Sequence, residues 1–430
     1  MKFKSLFTIT LISFSCVFIL NSLTYGQSVW TKKPDVSGQP STKKVKGGGG
    51  ITAIGNDVYL ILGNNTLDFL KYDNETSTWS AVDSSVPVGS IHKKVKKGAY
   101  IVNDGEYIYV LKGGGKNEFF KYNPADGLWG SLPSPDFRKG IKGGFACFAE
   151  FQGGKFIYVG SGSNTNEWKR FNIIDNRWET PTPETLPVRK IKLGSGLTYD
   201  GTSIIYLLVG GGRENDFYAC DLNSGTSLPQ WIAMNDMPFY PPDNLKKKKV
   251  KEGGCIEYAD RKIYAVKGGN TKGLWYYKPP EPEWTYVGEI IGVDSTSPAK
   301  GIKTGRSLTY SAIAGGLFCI IGNNTNEFWF YNTTDAPLNS NKPELEGKTN
   351  VENASSIDIR HNSRIVASIN YILPNNNATN LKVYKISGEL VCSGKSEKAV
   401  SLLSKLPVGV YIVRYEAKGY RENTKLIVAR

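Results

Sequence analysis

The sequence predicts an all-β protein built from six four-stranded antiparallel repeats closed into a ring and followed by a small β-sandwich. Three observations carry that prediction. A basic opening segment recurs with its central apolar residue at Val45, Val95, Ile141, Ile191, Val250 and Ile302, at spacings from 46 residues (Val95 to Ile141) to 59 (Ile191 to Val250). Each copy runs through a β-branched or aromatic stretch into glycines and then a second aromatic stretch, as in Tyr107–Leu111, Gly113–Gly115 and Phe119–Tyr122. A tryptophan closes the first five copies (Trp79, Trp129, Trp178, Trp231, Trp284) but not the sixth, whereas Trp30 stands ahead of the first. No stretch carries a helical period of useful length.

Residues 1–26 begin with Lys2 and Lys4, continue through an apolar run from Leu6 to Leu20 and soften from Asn21 to Gly26. This is the pattern of a secretory signal peptide, with cleavage expected after Gly26. The run is short for a membrane span, and no later stretch of about 18 apolar residues follows. Ser13-Phe14-Ser15 before Cys16 is a poor lipobox, so export without lipidation is expected. Trp30 reads as the end of a repeat. The sixth repeat runs from Ile302 through Phe328–Tyr331 and dissolves into Asn332–Pro337, so an N-terminal strand is expected to supply its outer strand and leave no open radial edge. Within the repeats, Asp104-Gly105, Gly153-Gly154, Asp200-Gly201 and Gly315-Gly316 read as hairpin turns between first and second strands. Glycines follow the second strand at Gly63, Gly113, Gly160, Gly210, Gly268 and Gly322.

A period near about 50 residues with these strands, glycines and distal tryptophans is that of a propeller blade. Over residues 27–337 the chain resembles the kelch repeat family, which implies a six-bladed kelch-like β-propeller. Residues 338–356, rich in Asn, Ser, Lys and Pro, read as a linker. From Ile357 a two-residue alternation sets in at Ile365–Tyr371, Leu381–Tyr384 and Ser387–Val391, followed by Leu406–Val413 and Thr424–Arg430. Residues 357–430 resemble the C-terminal sorting domain of the type IX secretion system, although His361-Asn362-Ser363 stands where that family usually has Asn-Pro. The resemblance implies a β-sandwich that engages the type IX machinery and delivers the protein to the outer-membrane surface or the exterior.

The opening segments also carry the charge. Lys and Arg number 53 against 39 Asp and Glu, a formal charge of +14, and the segments alone hold 18 lysines, without which the chain would stand near −4. Two positions are basic in all six copies. Lys46, Lys96, Lys142, Lys192, Lys251 and Lys303 directly follow the apolar anchor, and Lys43, Lys93, Lys139, Arg189, Lys248 and Lys300 stand two before it. Radial repetition turns such a register into rings, so twelve cations are expected around one mouth of the channel, where like charges focus a field that recruits anions. The alternative is a salt-bridge ladder to the carboxylates that open the third strand, Asp68, Glu118, Glu167, Asp216 and Glu327, with Gly273 the exception.

Catalytic constellations are scarce. The only histidines are His92 and His361, too few for the copper site of a galactose-oxidase-like propeller or for a Ser-His-Asp arrangement. Cys147, Cys220, Cys255, Cys319 and Cys392 are dispersed over different strands without a C-x-x-C pair and read as buried free thiols. The sequence therefore predicts a non-catalytic, cofactor-free binding propeller for an acidic polysaccharide or surface glycan. An exported chain offers no expected nucleic-acid partner. A carbohydrate-active propeller such as a sugar mutarotase or epimerase, and a purely structural surface scaffold, are the alternatives.

Overall fold

A computed structural model describes residues 30–223, 228–239 and 247–333, together with the strands 378–385, 390–394, 409–417 and 420–428. The first group forms six four-stranded antiparallel sheets arranged as the blades of a propeller. Their first strands (Gly50–Ile54, Tyr100–Asn103, Phe145–Phe151, Gly196–Tyr199, Gly253–Ala259 and Leu308–Ser311) contact one another in sequence and close from blade six back to blade one, so they form the innermost layer. The second strands lie between neighbouring blades on both faces. Ile108–Leu111 and Ile204–Leu208 are accordingly buried along their whole length, which is why they are continuously apolar rather than alternating.

The ring closes as expected. Trp30–Lys33 pairs antiparallel with Phe328–Asn332, in the register Trp30 with Tyr331 and Lys33 with Phe328. The distal tryptophans all fall in fourth strands, where they knit blades together. Trp79 packs edge-on against Phe328 of blade six at 5.0 Å, Trp129 against Phe69 of blade one at 5.1 Å, and Trp284 against Phe217 of blade four at 4.9 Å. The indole N–H of each donates to a backbone carbonyl at the end of the preceding blade: Pro34, Ser84 and Asn235 respectively. Such tilted aromatic pairs add about 0.5–1.5 kcal/mol beyond their buried area.

Two buried lysines fasten the straps that lead into the opening segments of blades two and five. Lys112 is 1% exposed and donates to the carbonyls of Pro87 at 3.0 Å and Val88 at 2.6 Å, with Glu118 as its counter-ion at 2.9 Å. Lys267, 2% exposed, donates to Pro238 and Phe239 and lies 4.4 Å over the Trp275 ring. Blade five has Gly273 where blade two has Glu118, and the Tyr286 ring fills the space a side chain would take. With no counter-ion among the described residues, burial pulls the Lys267 ammonium down to about 8. Its folded value then lies below the ordinary lysine value of about 10.4, so the folded chain gives up this proton before the unfolded one. The stability contributed at Lys267 is thus lowest below about pH 8 and rises up to about pH 10.4. Between about pH 7.5 and about pH 10 the wild type should gain about 2–3 kcal/mol relative to Lys267→Met in urea unfolding; a difference that does not drift with pH would contradict a dehydrated ammonium.

The C-terminal strands Ala378–Lys385, Leu390–Gly394, Gly409–Ala417 and Tyr420–Val428 form one antiparallel sheet in which the first is flanked by the second and third. The described residues here give a single sheet. The expected signal peptide (1–26), the expected linker (338–356) and the predicted strand Ile365–Tyr371 lie outside the described residues.

Candidate functional site

The six opening segments are built identically. Each apolar anchor, Val45, Val95, Ile141, Ile191, Val250 and Ile302, is no more than 1% exposed. Its carbonyl accepts an N–H from the loop between second and third strands of the preceding blade, donated by Asn324, Asn65, Gly115, Asn164, Gly211 and Asn270 in the same order, at 2.8–3.0 Å. All six donors have a positive φ, between 59° and 78°. That left-handed backbone explains why only Asn or Gly occupies the position. The repeated Asn or Gly was a legible signal that the sequence reading passed over. It also set two glycines after strands that run through them: the second strands of blades three and five end at Gly160 and Gly268, and in blade three the loop glycine is Gly162, at φ 56°.

The residue after each anchor is the lysine of the first ring. Its N–H donates to the end of its own blade's second strand, as from Lys96 to Lys112 at 3.1 Å and from Lys251 to Lys267 at 2.9 Å. Two residues further on stands a glycine, and in four of the six copies (Gly48, Gly98, Gly194 and Gly253) its neighbour is the backbone of the next blade's ring lysine: a Cβ on Gly48 would lie 2.1 Å from the Lys96 carbonyl oxygen, and one on Gly194 1.9 Å from that of Lys251. The glycines let the lysine-bearing turns close in on the axis, and the lysine stems lie over loop glycines, as Lys192 does over Gly211.

Lys46, Lys96, Lys142, Lys192, Lys251 and Lys303 are consequently all exposed at one mouth. They line two cavities, one of about 780 Å³ with Lys142, Lys192 and Lys251, and one of about 410 Å³ with Lys46 and Lys96; Lys303 and Glu252 border both. Among the described residues, no ion pair engages any of these six ammonium groups. The second ring departs from the expectation of twelve cations around the mouth. Lys43, Lys93, Lys139, Arg189, Lys248 and Lys300 border neither cavity. Lys43 and Lys300 instead reach the loop carbonyls of Asn64 and Asn323 at 3.3 and 3.4 Å. The reason is the turn at the anchor: residues before it run along the neighbouring loop, whereas those just after it turn into the mouth.

The alternative salt-bridge ladder does not form among the described residues, because the third-strand carboxylates are used on the incoming straps. Asp68 accepts from the backbone N–H and hydroxyl of Ser41, Glu118 from Ile91 at 3.2 Å, and Glu327 from Ala299 at 3.1 Å. Glu167 pairs with Arg138 at 2.6 Å. Asp216 is pushed up by burial and by Asp236 and Glu214. One carboxylate does enter the mouth, and it is not a repeated one: Glu252 of blade five meets Lys97 of blade two at 2.7 Å.

A second unrepeated pair lies along the inner strands and was missed by the sequence reading. Arg306 holds Glu257 through Nη2 at 2.7 and 2.5 Å and donates from Nε to the Leu308 carbonyl at 3.2 Å. Burial pushes the Glu257 carboxyl up, against the pull of Arg306 and of the Tyr310 N–H. Tyr100, Cys147 and Cys255 feel the same pair electrostatically, and burial raises all three. Cys147, Cys220, Cys255 and Cys319 are buried and free, as expected; Cys392 is not among the side chains described. His92 sits exposed in the turn before Lys93.

With this geometry in view, comparison with known proteins gives structural neighbours only. No family model matches the chain, and no curated protein does. Among solved structures, that of YjhT superposes with a TM-score of 0.51 at 14% identity, covering 71% of this chain and 98% of the other. A structural-genomics protein of unknown function from Bacteroides thetaiotaomicron VPI-5482 follows at 0.49 and 17%, covering 70% of this chain and 73% of its own. An auxiliary nutrient binding protein from the same organism follows at 0.45 and 12%, covering 71% and 77%. The likeness to YjhT is one of fold alone, and a shared fold does not carry function with it.

Proposed function

We propose that this chain is an exported, non-catalytic binding propeller of the kelch type, whose mouth captures an anionic ligand such as an acidic polysaccharide or a surface glycan. The C-terminal region acts as a type IX sorting domain that brings it to the cell surface or exterior. The observation that carries the binding reading is the ring of six exposed lysines, without ion pairs among the described residues, at one concave mouth. A concave surface of one sign concentrates its field. The alternative of a mutarotase-like enzyme calls for unrepeated acids or bases at liberty near the axis. Glu252 and Glu257 are unrepeated but each is tied to a cation, which favours binding over catalysis.

Replacing Lys46, Lys96, Lys142, Lys192, Lys251 and Lys303 together by Gln should abolish retention on an immobilised acidic polysaccharide while leaving the unfolding midpoint unchanged or raised, since the exposed ring is self-repelling. Wild-type retention should collapse between about 0.1 M and about 1 M salt as the screening length shrinks from about 10 Å to about 3 Å. Undiminished retention of the six-fold variant would refute the assignment of the ring as the site.

A further inference from the structure

The position after each ring lysine breaks the six-fold pattern. It is occupied by Gly47, Lys97, Gly143, Leu193, Glu252 and Thr304 in blades one to six. The two charged residues belong to blades two and five, which face each other across a six-bladed ring. Their ion pair, at 2.7 Å with Glu252 only 16% exposed, therefore spans the mouth. Gly47 makes room for it, since a Cβ there would stand 3.3 Å from Glu252 Oε1. Glu252 borders both cavities and, among the described residues, is the one carboxylate lining either. Among the described residues no aromatic ring lines them, and recognition falls to charge and to amides such as those of Asn164 and Asn270, which suit hydroxyl groups.

A ligand that reaches ring lysines on both sides must cross Glu252. We infer that Glu252 sets the charge pattern accepted by the mouth: an acidic oligosaccharide whose anionic residues are separated by a neutral or amino-bearing residue, rather than one charged at every residue. The inference rests on the anion-binding reading above and adds the spacing of the ligand's charges. An anionic group at the crossing meets a like charge that Lys97 compensates only in part, and like-charge juxtaposition is how interfaces reject wrong partners.

Hyaluronan oligosaccharides, with a carboxylate on alternate sugars, and oligogalacturonate, with one on every sugar, separate the cases. Titrated calorimetrically with the mature chain, the first should bind about tenfold more tightly. Glu252→Gln should narrow that preference by strengthening oligogalacturonate binding, and Lys97→Gln, which leaves Glu252 uncompensated, should widen it. Equal affinities in the wild type, or a Glu252→Gln change that raises both ligands by the same factor, would overturn the inference while leaving the anion-binding site intact. If neither saccharide binds the wild type and the six-lysine variant behaves identically, the anion reading itself falls and this inference with it.

Discussion

A chain that begins at Ser37 should lose most of its cooperative stability relative to one that begins at Trp30. The segment between them supplies the outer strand of blade six, and Trp30 is fully buried, packed at 5.1 Å against Tyr331. Its carbonyl accepts from Val293 of blade five at 3.2 Å, and beyond the strand Val36 exchanges hydrogen bonds with Asn326 in both directions, at 2.8 Å from its own N–H and 2.7 Å from the Asn326 amide. Pro34 is also the acceptor for the Trp79 indole of blade one. Removing one buried Trp side chain alone costs about 3–5 kcal/mol, and Trp30→Ala in the full chain should show that much in urea unfolding. The truncation should exceed it, because it also bares the edge of Phe328–Asn332 to water and to other chains. Chromatography should accordingly show concentration-dependent association of the truncated protein. A peptide of residues 28–36 added in trans should restore part of the midpoint. Identical unfolding of the two chains would mean that the ring is not held shut by its N-terminus.

Breaking the axial pair should be comparably costly. Arg306 is 7% exposed, and its guanidinium meets both Glu257 oxygens. Removing one partner of a buried, hydrogen-bonded pair leaves an uncompensated charge, at about 3–5 kcal/mol. Glu257→Leu and Arg306→Leu should each lose that much. The double variant should lose markedly less than the two together, since matched apolar replacement of a buried ion pair is often close to neutral. A double-mutant cycle in denaturant measures this directly. Strict additivity would mean that the two side chains act independently, contrary to the geometry. Blades five and six meet at this pair, and Tyr310 adds a backbone N–H to Glu257 at 3.2 Å, so the loss should fall on the whole ring rather than on one blade.

Much of this molecule was legible from spacing. The six apolar anchors, the distal tryptophans and the missing sixth tryptophan answered by Trp30 fix the blade count and the closure, because strand periodicity and repeat length are local properties that radial repetition carries unchanged into three dimensions. The same logic placed Lys46, Lys96, Lys142, Lys192, Lys251 and Lys303 on one ring. It could not separate them from Lys43, Lys93, Lys139, Arg189, Lys248 and Lys300, which recur just as faithfully. That distinction depends on the direction of the chain at the buried anchor, set by hydrogen bonds from the preceding blade to Val45 and its equivalents. Asp68, Glu118, Glu167 and Glu327 likewise recur with the lysines in sequence, yet their short side chains end on the straps beside them. The pairs Lys97–Glu252 and Arg306–Glu257 join residues 155 and 49 apart that no repeat marks. Only the closed ring brings them together, since contact across the axis follows from where opposite and adjacent blades meet and not from any local pattern.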